Sequence, residues 1–136
     1  MIAPLATSAT GLQAASLRLQ ASASNVANIR TTGALPAETG GEIGGGRGAY
    51  APVDVVQTTT DRGGVSARLT ERFPAYRPAY EPSSPDANAD GLVAAPNVDL
   101  VGEVTNQIIA SAAFEANAAA MRAAREMAQT VLDIGA

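Results

Sequence analysis

Alanine carries almost half of the hydrophobic content of this chain, and that limits what the chain can enclose. Of the 63 residues in the hydrophobic set, 30 are Ala. Leu, Ile, Val and Phe together number 27 of 136, about one fifth, the level below which chains tend towards disorder. With 2 Phe, 3 Tyr and no Trp, such a chain forms helices readily but cannot fill a thick core. Its length suits one structural unit, and its thin burial calls for a partner surface. The net charge of −4 is too small for self-repulsion to hold the chain open.

What is missing narrows the chemistry. The chain has no Cys and no His, which excludes disulfides, thiolate-bound zinc, Cys or Ser–His nucleophiles and imidazole ligands. Its basic residues are nine Arg and no Lys, thinly spread, with a pI near 4.6, which argues against a nucleic-acid partner. No run of 18 apolar residues predicts membrane insertion. Met1 to Leu5 lacks the positive start of a secretory signal, so the chain is expected either in the cytosol or exported without a cleaved signal. Glu38, Glu42, Asp54, Asp61 and Glu71 sit in or near loops without apolar surroundings that would raise a carboxyl pKa. No enzyme and no cofactor are expected.

Two helical segments flank a middle that has no helical period. Ile2, Leu5, Ala9, Leu12, Ser16, Leu19, Ala23 and Val26 alternate spacings of three and four, an a/d seam that predicts a helix to about Asn28. Pro4 fits only its first turn. At the other end, Asn97 or Asp99 can cap a helix of about 35 residues, with Gly135 as its stop. Leu100, Val104, Ile108, Ser111, Phe114, Ala118, Met121, Ala128 and Leu132 lie near one face of it. The expected fold is mainly α: the two long terminal helices form a coiled-coil-like pair, with a small β-hairpin and extended loops between them. The segments are 1–33, a Gly/Pro-rich 34–96 with the hairpin near 53–70, and 97–136.

Thr39 to Gly48 reads as a flexible linker, because it fits no GxxxxGK[ST] pattern and the chain has no lysine. Val53 and Val55, then Val65, Ala67 and Leu69, alternate around a Thr60–Gly64 turn. A lone hairpin is marginal in water and must lean on something. Pro74, Pro78, Pro82 and Pro85 then hold the chain extended, with Tyr76 and Tyr80 as docking groups. Asp86-Ala87-Asn88-Ala89-Asp90-Gly91 opens like an EF-hand loop, but its twelfth position is Asn97 rather than a bidentate Glu. An Asx-rich turn is the better reading.

The most specific run is Ser24-Asn25-Val26-Ala27-Asn28 with Thr31-Thr32-Gly33. With Pro96-Asn97-Val98-Asp99-Leu100-Val101, Ala113-Phe114-Glu115-Ala116-Asn117 and the closing Leu132-Asp133-Ile134-Gly135, it resembles the bacterial flagellar basal-body rod protein family. The Pro85–Gly91 turn before Pro96 and the short length resemble most the proximal rod members, which lack the large inserted β-domains of distal rod and hook relatives. The family usually has an aromatic residue after the glycine, where this chain has Ala34 and Leu35.

The resemblance implies a structural subunit exported unfolded by the flagellar type III apparatus, without a cleaved signal. It implies a helical tube that crosses the periplasm and transmits torque from the motor ring to the distal rod and hook. The partners implied are its own copies, other axial rod proteins and the rod-to-ring adaptor. In that setting Leu5, Leu12, Leu19, Val26, Val104, Ile108, Phe114 and Met121 supply apolar contacts between subunits, and Asn25, Asn28 and Asn117 fix register. The competing reading is a non-filamentous two-helix adaptor module, with a weak calcium loop at 86–97.

Overall fold

The computed structural model describes residues 2–35, 48–61 and 63–134. The glycine-rich segment 39–47, the side chain of Ile2 and the stop expected at Gly135 lie outside that description. Helix α1 runs Ile2–Ala27 and helix α2 runs Leu100–Ile134. Between them come strands β1 (Val53–Thr59), β2 (Val65–Glu71), β3 (Tyr76–Tyr80) and β4 (Leu92–Pro96).

Both helices form where alanine density and caps allow. Asp99 is the cap of α2: its carboxylate accepts from the amides of Val101 (3.2 Å) and Gly102 (3.1 Å). At the end of α1 the carbonyl of Ser24 accepts twice from Asn28, from its amide at 3.1 Å and from its Nδ2 at 2.9 Å. The helices pack antiparallel, with Gly11 beside Asn117 at one end and Ser22 and Asn25 beside Glu103 at the other. The inward face is small: Ala14, Ala15, Ala21 and Ser22 of α1 and Ala110 of α2 are buried. A Cβ added at Gly11 would fall 2.7 Å from Asn117 Cγ, so only glycine permits this approach without displacing that side chain.

The hairpin β1–β2 is antiparallel, with Val53 opposite Glu71 and Thr59 opposite Val65. It lies along α1. Its tip rests on the first turns, where Thr10 Oγ1 accepts from the amide of Val65 at 3.2 Å and donates to Thr7 O. Gly63 and Gly64 turn there with φ of +79° and +96°. The contact with α1 is what the marginal hairpin leans on.

The expectation of a mainly α chain with one small hairpin is corrected by a second antiparallel sheet. Strand β3 pairs with β4, from Tyr76 opposite Pro96 to Tyr80 opposite Leu92. On its other side β4 meets Gly33, which exchanges two backbone hydrogen bonds with Ala94 (3.0 and 2.8 Å). That geometry explains how the expected proline-extended segment becomes a strand. Pro78 stands opposite Ala94, whose N–H and C=O are both turned to Gly33. The ladder therefore asks no N–H of Pro78, and β3 is an edge. Val93, Ala94, Ala95 and Pro96 of β4 are all buried, as are Val98 and Pro52. The second core is built there.

The Asp86–Gly91 turn is an Asx turn between β3 and β4. Asn88 Oδ1 accepts from the amides of Asp90 (3.0 Å) and Leu92 (2.9 Å), and Gly91 takes φ +75°.

Candidate functional site

Asn25 sits where α1, α2 and the hairpin meet, and it is 1 % exposed. Its Nδ2 donates to Val53 O (2.8 Å) and to Glu103 Oε1 (3.0 Å). Its Oδ1 accepts from Val53 N (2.9 Å) and from the hydroxyl of Tyr50 (3.1 Å). Tyr50 OH lies 2.9 Å from Ser24 Oγ, so Ser24 donates when Tyr50 gives its proton to Asn25. One side chain thus satisfies both backbone groups of Val53, at the first residue of β1, and ties them to both helices.

Glu103, 3 % exposed in the first turn of α2, is the charged member of this cluster. It is paired. Arg72 Nη2 lies 2.7 Å from Glu103 Oε1 and 2.6 Å from Asp54 Oδ1, while Nε reaches Asp54 Oδ2 at 3.1 Å. Arg72 Nη1 also donates to Asn97 O at 3.1 Å. The guanidinium therefore joins β1, the end of β2, the approach to α2 and α2 itself, a forked geometry that a lysine cannot copy. Hydrogen bonding to Asp54 raises its pKa most, burial opposes that, and the bond to Glu103 raises it further. Ser22 Oγ completes the cluster by donating to Glu103 O at 2.7 Å. Every buried side-chain N or O among the described residues has a partner.

The residues expected to mediate assembly fall into two sets. Asn25 faces into the chain's own fold, and Asn28 and Asn117 bond the carbonyls of Ser24 and Ala113 in their own helices. Leu5, Leu12, Val26 and Met121 are half-buried, and Leu19 is exposed on the flank of α1. On α2, Val104 and Phe114 are exposed, as is Ile108 at 65 %. Leu12, Leu17 and Phe114 line an open groove between the two helices, with Gln13, Ser16 and Gln20 at its rim. Leu100, Val101 and Ile109 extend the exposed apolar surface of α2. That helix is small and buried on one side and apolar and open on the other.

Arg72, Glu103 and Tyr50 are not singled out by the sequence. Periodicity carried a signal for Glu103, which stands seven residues before buried Ala110 and fourteen before Asn117 at the seam. Arg72 and Tyr50 reach the cluster from loops, where no local pattern marks them.

The chain matches the family model for the C-terminal region of the flagellar basal body rod FlgEFG proteins over residues 89–134, which takes in β4 and α2. It is 38 % identical over 69 residues to the flagellar basal-body rod protein FlgC of Bacillus subtilis, an alignment that covers 51 % of this chain and 46 % of that protein. FlgC of Agrobacterium fabrum is 27 % identical over 134 residues, covering 92 % and 88 %. FlgC of Salmonella typhimurium is 32 % identical over 128 residues, covering 93 % of this chain and 91 % of that protein. With that identity sustained along nearly the whole of both chains, this protein belongs to the flagellar basal-body rod protein FlgC family.

Proposed function

We propose that this chain, a structural subunit of the flagellar basal-body rod by its family, builds a helical tube with its own copies and with other rod proteins. In that tube the exposed face of α2 and the flank of α1 pack against neighbours. Leu5, Leu12, Leu19, Val26, Val104, Ile108, Phe114 and Met121 supply the apolar contacts. The inward residues Asn25 and Asn117 act one step earlier, by holding each subunit's helices and hairpin in one relative position. A shaft that carries torque needs subunits that do not flex at that joint.

The observation that carries this reading is the open apolar stripe on α2. A helix whose other side is already packed gains nothing within the monomer from Val101 at 74 % exposure and Ile108 at 65 %. Burying that area between copies removes it from water. The role is structural rather than catalytic. We place the chain in the periplasm-spanning rod, delivered through the flagellar type III export apparatus without a cleaved signal, with the rod-to-ring adaptor among its neighbours. The two-helix adaptor reading loses ground because its family is a rod family along nine-tenths of the chain.

Leu12→Asp and Phe114→Asp test the assignment. Each should abolish motility and leave the chain out of purified basal bodies while it is still exported. Normal swimming in either strain would refute the interface.

A further inference from the structure

Strand β1 has an open edge. At the two ends of the hairpin Arg72 N bonds Pro52 O and Thr60 N bonds Gly64 O, so the ladder to β2 is made by the even-numbered residues of β1. Val53, Val55, Gln57 and Thr59 therefore turn their N–H and C=O groups away from β2. At Val53 the side-chain amide of Asn25 takes both, with one donor and one acceptor, as a residue of a neighbouring strand would. Val55 and Gln57 have no such partner among the described residues.

This edge runs beside α2, with α1 as the floor of the cleft between them. Val53 and Val55 share one hollow with Asn106, and Gln57 shares the next with Ala113 and Asn117. The floor is small, built from Gly11 and Ala14 at one end and Ala21 at the other. Strand β1 stays more than 8 Å from α2, Cα to Cα, whereas a paired strand stands only about 4.8 Å away. From Glu103 to Asn117 the cleft is about 21 Å long, the length of roughly six residues of extended chain.

The other sheet shows how this chain closes an edge. Pro78 leaves the free side of β3 without an N–H. Strand β1 carries no proline, lysine or bulge from Val53 to Thr59, and a two-stranded hairpin is marginal without a third strand or a packed face. The cleft also sets the charge of what fills it. Arg18 lines both hollows, is half-buried and has no carboxylate within 4 Å among the described residues. Asp54 and Glu103, which line the same cleft, are both engaged by Arg72.

We infer that an extended, acidic segment of a neighbouring subunit adds to β1 as a third strand, paired with Val55 and Gln57 and placing a carboxylate on Arg18. Asn25 starts the line of bonds and the incoming backbone continues it. Backbone pairing holds the segment, and the cation selects it. The proposal rests on the rod reading for its setting, and it adds a joint made by backbone hydrogen bonds to the helix contacts of that reading.

Hydrogen exchange at single amides, in the free chain and in purified basal bodies, tests the added strand. The Val55 and Gln57 amides should exchange freely in the free chain and slow by more than about tenfold in basal bodies. The Val56 and Thr58 amides, which belong to the ladder, should be protected in both. Val55→Pro removes an outward N–H and leaves the ladder intact, as Pro78 does in β3. It should unfold near the native urea midpoint and lower incorporation into basal bodies several-fold. Arg18→Gln should lower incorporation as well, and Arg18→Lys should restore it.

Free exchange at Val55 and Gln57 in basal bodies that contain the chain would overturn the added strand alone. So would native incorporation of Val55→Pro; where that variant shifts the urea midpoint, the exchange of the native chain decides. Native incorporation of Arg18→Gln would overturn the acidic partner. Absence of the native chain from basal bodies would overturn the rod reading and the strand with it.

Discussion

Asn25→Asp changes a hydrogen-bond donor into an acceptor while keeping the shape of the side chain. In the native chain Nδ2 gives its two hydrogens to Val53 O at 2.8 Å and Glu103 Oε1 at 3.0 Å. In the variant both contacts become acceptor against acceptor, and one of them sets two carboxylates together. Each buried polar group left unsatisfied costs roughly 1–3 kcal/mol, so the two contacts come to about 2–6 kcal/mol at neutral pH. That is a large part of the roughly 5–15 kcal/mol that holds a domain together. Asn25→Ala removes the same bonds without adding charge and should cost less.

The pH dependence of Asn25→Asp has a definite sign. Burial and Glu103 both disfavour the charged form of the new carboxyl, so its folded-state pKa lies above the unfolded value of about 3.9. The deficit relative to the native chain is therefore full at neutral pH and shrinks as pH falls through the folded-state pKa. Urea unfolding of both purified variants at pH 7.5 and pH 5, each beside the native chain, checks this. A difference from the native chain under about 1 kcal/mol at pH 7.5, or a deficit that grows on acidification, would refute the role given to Asn25.

Gly11→Ala gains about 1 kcal/mol of helix propensity, yet it should still destabilise the chain, because its Cβ collides with Asn117 across the seam. Adding Asn117→Ala should reverse the sign, and unfolding melts of the two single variants and the pair measure that coupling. Arg72→Ala strands Glu103 in a nearly sealed site and should cost about 2–4 kcal/mol. Arg72→Lys should recover only part of this, since an ammonium cannot reach Asp54, Glu103 and Asn97 O together. Full recovery by lysine in thermal melts would show that charge alone, rather than the fork, holds the joint.

The helices were legible in the sequence because their period is local, and so was the hairpin, whose alternation brackets a Gly-Gly turn. The side of α1 that turns inward was not. The small-residue seam through Gly11, Ala14, Ala21 and Asn25 keeps the heptad spacing of the leucine seam but is shifted from it by two positions. Hydrophobicity favours the leucines, whereas close approach of two backbones favours glycine and alanine, and the monomer uses the second. The leucines stay on the flank. The second sheet leaves no local pattern, because β4 is buried on both faces and so shows no alternation. Its partner β3 carries a proline that is tolerable only once the pairing is known. The polar cluster draws on residues 22, 25, 50, 54, 72 and 103. Separations of that size leave no trace in a local pattern. Asn25 is the member of this cluster that the sequence points to, for register between subunits; within the monomer its amide holds β1 against the two helices.

On this reading the open face of α2 is one half of a subunit interface inside the rod. A density map of basal bodies from cells making this chain, at a resolution that separates side chains, tests it most directly. The map should show the two-helix, two-sheet unit in the shaft, with Val104, Ile108 and Phe114 buried against neighbouring subunits. A shaft that lacks this chain, or one in which that face of α2 remains open to solvent, would contradict it.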